Sequence, residues 1–183
     1  MNTLDQEKLF YERFWALHRD PQLVEIFKTY GIAAFRRSSV LEGFEEFIQQ
    51  TGFKGHTCVE IGSLKGLTAI VLSRYFSRVI SIDILDDPLK WEIASSLGIS
   101  NITFLNVIDN EEKKRIIEGL EFDAAYSDGD HAHDAMSDFN LVRRCKRVLF
   151  HEFWDAQPNV VKLVGSLDSG TVTSKGKFAL WTS

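Results

Sequence analysis

The strongest constraint on this chain is one stretch of its sequence. An apolar run ending in an acid, Val59-Glu60-Ile61, leads into a glycine-bearing turn, Gly62-Ser63-Leu64-Lys65-Gly66. A helical pattern then starts at Leu67-Thr68, and a second apolar run ends in Ser81-Ile82-Asp83. This order is how an α/β nucleotide-binding half begins. The strand stops, glycine lets the backbone turn close to a ligand, and a helix N-terminus starts beside it. An acid at the end of the second strand is placed to hold a ribose diol.

The rest of the chain repeats the alternation. Strands are expected at 57–61, 78–84, 101–107, 122–127 and 147–153, with helices at 67–76, 88–97, 111–120, 133–145 and 158–167. Strands at 170–174 and 178–182 flank Lys175-Gly176, a hairpin signal. The expected fold is therefore α/β: a doubly wound, Rossmann-like sheet, mostly parallel, with a C-terminal antiparallel hairpin. Residues 4–50 read as helical, because Leu9, Phe10, Phe14 and Leu17, then Leu23, Ile26 and Phe27, then Val40, Phe44, Phe47 and Ile48 recur at helical spacing. The expected organisation is an N-terminal helical segment over 1–54 and a cofactor-binding segment over 55–183, both within one domain. The aromatics of the first segment, among them Phe10, Trp15 and Tyr30, mark it as the candidate lid or homodimer surface, with plain core packing the alternative for most of them.

Composition narrows the class. With 21 basic and 26 acidic side chains the net charge is −5, which argues against a nucleic-acid partner. The basic cluster Arg143, Arg144, Lys146 and Arg147 reads as a solvated helix end, where cations suit the dipole. Cys58 and Cys145 lie in or beside apolar segments and read as packed, reduced thiols. No apolar run reaches the ~18 residues of a membrane span. No secretory pattern precedes Leu4, so a cytoplasmic location is expected.

The dinucleotide fingerprint G-x-G-x-x-G is not met, since Leu64 stands between Gly62 and Gly66. Glu60 would repel a pyrophosphate and suit a cationic amino group. On Glu60-Ile61-Gly62-Ser63-Leu64-Lys65-Gly66, Asp83 and the later Phe122-Asp123-Ala124-Ala125-Tyr126-Ser127-Asp128-Gly129-Asp130-His131, the chain resembles the class I S-adenosylmethionine-dependent methyltransferases. The resemblance covers roughly residues 55–183. It is nearest to the small-molecule O-methyltransferases that include the macrolide-sugar group. It implies a cofactor site of Glu60, Gly62, Ser63, Gly66, Asp83, Ile84, Asp109 and Asp128. The glycine turn would touch the methionine part of the cofactor and Asp83 the ribose hydroxyls. Asp109 would reach the adenine amino group, with Ile108 the alternative holder of that position.

Two further segments end strands that should be neighbours: Asp128-Gly129-Asp130-His131 and His151-Glu152-Phe153-Trp154-Asp155. Carboxylates and imidazole converging at one rim suit a hard cation such as Mg²⁺, which would acidify a substrate hydroxyl. A plain aspartate turn at 128–130 is the structural alternative. In the metal-dependent O-methyltransferases the resemblance implies ligands at Asp128 and at the pair His151-Glu152, with His131 as the base. The family's pair is usually two acids, an acid and an amide, or His-Asp; His151-Glu152 keeps the His-acid order and lengthens the acid by one methylene. The expected activity is methyl transfer to a small hydroxylated metabolite or sugar. A nicotinamide-dependent oxidoreductase and a non-catalytic cofactor-binding protein of the same fold are the competing readings. The amino-methyltransferase signature D/N-P-P-Y/F is absent, since the fourth strand ends Ser127-Asp128-Gly129-Asp130.

Overall fold

In a computed structural model, Thr29 and residues 43–129, 135–153, 157–167 and 169–183 are described. The chain divides into two compact units after Gly43, and the account below concerns the second. The helices expected before Gly43 lie outside the described residues, as do Asp130, His131, His133, Trp154 and Asp155.

The second unit runs α1 (Phe44–Thr51), β1 (Gly55–Ile61), α2 (Leu67–Leu72), β2 (Phe76–Asp83), α3 (Leu89–Ser96), β3 (Ile102–Asn106), α4 (Asn110–Glu118), β4 (Ala124–Ser127), α5 (Ala135–Val142), β5 (Arg147–Phe150), α6 (Pro158–Gly165), β6 (Thr171–Lys175) and β7 (Phe178–Thr182). The strands form one sheet in the order β3-β2-β1-β4-β5-β7-β6. The pairs among β1 to β5 are parallel, and β7 is antiparallel to both β5 and β6. This is the α/β, Rossmann-like methyltransferase fold, and the expected class and terminal hairpin are both present.

Burial explains the strand sequences. From Thr57 to Ile61 every residue of β1 is buried, because helices cover both faces of the sheet and alternation disappears. One face carries Val59, Ile61, Ile80, Ile82 and Ala125, packed with Ile117, Phe139, Val142, Val160, Leu163 and Trp181. On the other face, Phe44 of α1 lies 5.0 Å from Tyr126 and 5.4 Å from Phe178, ring centroid to centroid. Phe44, Phe47 and Ile48 are all buried, as their helical spacing demands.

Most boundaries fall within two or three residues of expectation. The largest difference is at α2, which stops at Leu72 and not at Phe76. Ser73 turns its hydroxyl back to the Ile70 carbonyl at 2.7 Å, and Asn101 donates its amide to the carbonyls of Ser73 and Phe76. These side chains offer the backbone an alternative to another helical turn. Phe76 then opens β2, packed edge-on against Phe53 at 5.3 Å.

The basic cluster divides by function. Arg144 donates to the carbonyls of Ile117 (2.6 Å), Glu118 (3.1 Å) and Leu120, closing the end of α4. Arg147 donates to Gly52 and Lys54 and faces Asp123 at 3.6 Å, at the opposite edge of the sheet from the glycine turn. No described helix is long and apolar enough to cross a membrane.

Candidate functional site

In an open α/β sheet, ligands bind outside the carboxyl ends of the strands where the strand order reverses. Here that point lies between β1 and β4. The glycine turn occupies it. Gly62 donates to the Ile82 carbonyl at 2.9 Å, and Asp128 donates to the Ile61 carbonyl at 2.8 Å. Gly62 has φ +89°, and a Cβ there would stand 2.2 Å from the Asp128 carbonyl oxygen. Its missing side chain therefore lets β1 and β4 close on each other at the mouth of the site. Leu64, in the middle of the glycine turn, holds φ 44°, the left-handed region. The strain of a non-glycine there is about 1–2 kcal/mol. It is offset by Asp83, whose Oδ2 accepts the Leu64 N–H at 2.6 Å.

Asp83 joins three segments. Its Oδ1 accepts the Leu85 N–H at 2.7 Å, so the carboxylate ties the end of β2 to the glycine turn and to the following loop. An ionised carboxylate has about four acceptor sites. These bonds take up two of them. The loop is further held by Lys90, a fully buried lysine whose Nζ donates to the Leu85 carbonyl at 2.9 Å and lies 4.5 Å from the centre of the Trp91 ring. Gly66 has its own packing reason, since a Cβ there would meet Lys90 Cβ at 2.9 Å and the Phe104 ring at 3.0 Å. Beyond this clamp, Ile84, Leu85 and Ile108 expose their apolar side chains at the strand ends.

Ser63, inside the turn, is buried, and its Oγ has no hydrogen-bond partner. A buried hydroxyl without a partner costs about 1–3 kcal/mol. It marks a place where a ligand's polar group would be met.

Glu60 points elsewhere. Its carboxylate is fully buried and accepts from the hydroxyls of Thr68 on α2 and Ser81 on β2. Burial is the main cause that pushes its pKa from 4.5 up to about 7; the two hydroxyls act against the rise, and the charges of Asp128 and Asp83 add to it. The expected contact with a cationic amino group would have to be made beside these two bonds, one on each oxygen, by a carboxylate that lies wholly inside the fold. Asp109 differs too. It is the N-cap of α4, with Oδ1 accepting the Glu112 N–H at 2.8 Å, a role that its position just before an acidic first turn explains.

At the neighbouring rim, Asp128 and His151 come together. Asp128 Oδ1 accepts from His151 Nδ1 at 2.7 Å, and Asp128 Oδ2 accepts from the Tyr126 hydroxyl at 3.2 Å. His151 is 2% exposed, and its Nε2 is buried with no hydrogen-bond partner. Its ring lies against Phe178, 5.4 Å between centroids. Burial, then the charge of Asp128, hold the Tyr126 phenol well above its usual pKa, so it serves as a donor. Tyr126 was not among the expected site residues. The signal was available, because residues two apart on a strand share a face and Tyr126 stands two before Asp128.

The Mg²⁺ set expected at Asp128, His151 and Glu152 does not form as drawn. The facing atoms, Asp128 Oδ1 and His151 Nδ1, bond to each other. Glu152 leaves β5 with φ 58°. Among the described residues, no three His, Cys, Asp or Glu side chains are grouped to hold a metal.

No family model matches the chain, and no curated protein matches it in sequence. Solved structures do match its fold. An O-methyltransferase from Bacillus cereus in complex with SAH has a TM-score of 0.68 at 14% identity, over 91% of this chain and 93% of that one. The cofactor-bound Rv0187 from MTB has a TM-score of 0.67 at 16% identity, over 94% of both chains. An rRNA methylase from Streptococcus thermophilus has a TM-score of 0.58 at 15% identity, over 77% of this chain and 93% of that one. At such identities the likeness is one of fold.

Proposed function

We propose that this chain binds S-adenosylmethionine and transfers its methyl group to an oxygen of a small hydroxylated metabolite or sugar, as the macrolide-sugar group does. The observation that carries the reading is the buried, partnerless Ser63 hydroxyl in the turn at the strand-order reversal. It fits the polar amino-acid end of this cofactor. The remaining acceptor sites of Asp83 fit the ribose hydroxyls, and Ile84, Leu85 and Ile108 offer apolar surface for the adenine ring. The cofactor supplies a methyl group on a positively charged sulfur, and the protein's task is to position and deprotonate the acceptor. The SAH-bound and cofactor-bound structural neighbours support the cofactor, and one of them supports transfer to oxygen.

A nicotinamide-dependent reaction is disfavoured on topology. Dinucleotide-binding sheets run 3-2-1-4-5-6, whereas here the antiparallel β7 is inserted between β5 and β6. The negative net charge supports a small acceptor over a nucleic acid. Titration calorimetry with S-adenosylmethionine, SAH and NAD⁺ in parallel tests the reading. Binding of the first two is expected. Tighter binding of NAD⁺ than of S-adenosylmethionine would overturn it in favour of an oxidoreductase.

A further inference from the structure

The pairing at the rim says more than that a metal set is missing. A histidine whose Nδ1 stands 2.7 Å from a carboxylate oxygen has its tautomer fixed. With the proton on Nδ1 donated to Asp128, the neutral ring would leave the Nε2 lone pair as an acceptor. In this protein that acceptor is buried and has no donor. The group it lacks is an O–H or N–H donor, and an acceptor substrate's hydroxyl is one. The other side of the pair is equally fixed, since the Tyr126 hydroxyl donates to Asp128 Oδ2 at 3.2 Å and is itself wholly buried against Phe44. Asp128 and His151 end neighbouring strands, β4 and β5, and the His151 N–H donates to the Ser127 carbonyl at 3.1 Å, so backbone pairing sets the orientation of both side chains.

We propose that His151, oriented by Asp128, is the proton acceptor for the methylated hydroxyl, and that this rim works with a hydrogen-bonded pair where related enzymes use a metal ion. The proposal rests on the methyltransferase reading above. The step balances as follows. The hydroxyl proton passes to His151 Nε2 as the oxygen's electron pair forms the new O–CH₃ bond. The S–CH₃ bond of the sulfonium donor breaks, and its electron pair stays on sulfur as a neutral thioether. The imidazolium left behind faces the Asp128 carboxylate and gives its proton to water after product leaves. The described residues bring no set of three metal-binding groups together.

The test uses the full chain with ¹⁵N-labelled histidine. NMR is expected to show His151 protonated at Nδ1 and bare at Nε2, unchanged by millimolar Mg²⁺, and Asp128→Asn is expected to disturb that tautomer. Calorimetry is expected to give His151→Gln an SAH affinity within about twofold of wild type. On whichever of catechol or a methyl glycoside the wild type methylates, His151→Gln is expected to lose about 100-fold or more in kcat, the usual worth of a positioned base. A proton on Nε2, or ring signals that move with Mg²⁺, overturns the proposal without any variant having to fold. So does wild-type turnover in His151→Gln. Failure of the wild type to bind SAH is a different result. It removes the methyltransferase reading, and this proposal falls with it.

Discussion

Glu60 is the residue whose charge the fold perturbs most usefully, and Glu60→Gln isolates it. The carboxylate is wholly buried, and its folded pKa is about 7 against an ordinary 4.5, chiefly through burial. Below pH 4.5 the group is protonated in both the folded and the unfolded chain, and it imposes no penalty. Between there and about pH 7 the unfolded chain releases its proton while the folded chain keeps it. Stability therefore falls as pH rises through this window and levels off above it. At 1.36 kcal/mol per pKa unit, the loss from this one group is about 3 kcal/mol. Glutamine imitates the neutral acid, since its amide can accept from one of the Thr68 and Ser81 hydroxyls and donate to the other. Urea unfolding of both proteins at pH 5 and pH 8 gives the answer. The variant is expected to gain about 3 kcal/mol on wild type between the two conditions, with the urea slope unchanged. A difference between the proteins that stays constant with pH would show that Glu60 is charged throughout, and the burial argument would be wrong.

Two other outcomes follow from packing. Gly62→Ala places a Cβ 2.2 Å from the Asp128 carbonyl oxygen at φ +89°, so chemical denaturation should show a loss of about 2–4 kcal/mol, and SAH affinity should fall with it. Phe44→Ala empties the space between Tyr126 and Phe178; a loss of about 3–5 kcal/mol is expected by the same method, and a change below 1 kcal/mol would mean that α1 is not part of this core.

The fold was legible because its signals are redundant. The glycine turn follows β1, Asp83 ends β2, α1 buries Phe44, Phe47 and Ile48 at helical spacing, and β7 was read to the residue at 178–182. The end of α2 was not legible, because it depends on Asn101, far along the chain, reaching back to Ser73 and Phe76. The site was legible in position more than in role. Asp83 and Gly62 stand where the pattern puts them. Glu60 is in its expected place on the strand, but its side chain turns toward Thr68 and Ser81, because a residue flanked by buried neighbours on β1 faces a helix and not the rim. Asp109, expected as a ligand residue, caps α4 through one of its oxygens. His151, expected as a metal ligand, is hydrogen-bonded to Asp128. Sequence spacing brings residues to an edge; it does not say which atom each turns toward the other. Of the remaining expectations, His131 as base lies outside the described residues.

The placement of β7 bears on how the chain is made. Of the seven strands it is the last to leave the ribosome, yet it lies inside the sheet, between β5 and β6. Until it emerges, the nascent sheet ends at β5, whose unpaired backbone and buried residues Val148, Leu149 and Phe150 stand open. Cotranslational folding of β1 to β5 would thus leave a sticky edge for as long as the hairpin is still being synthesised.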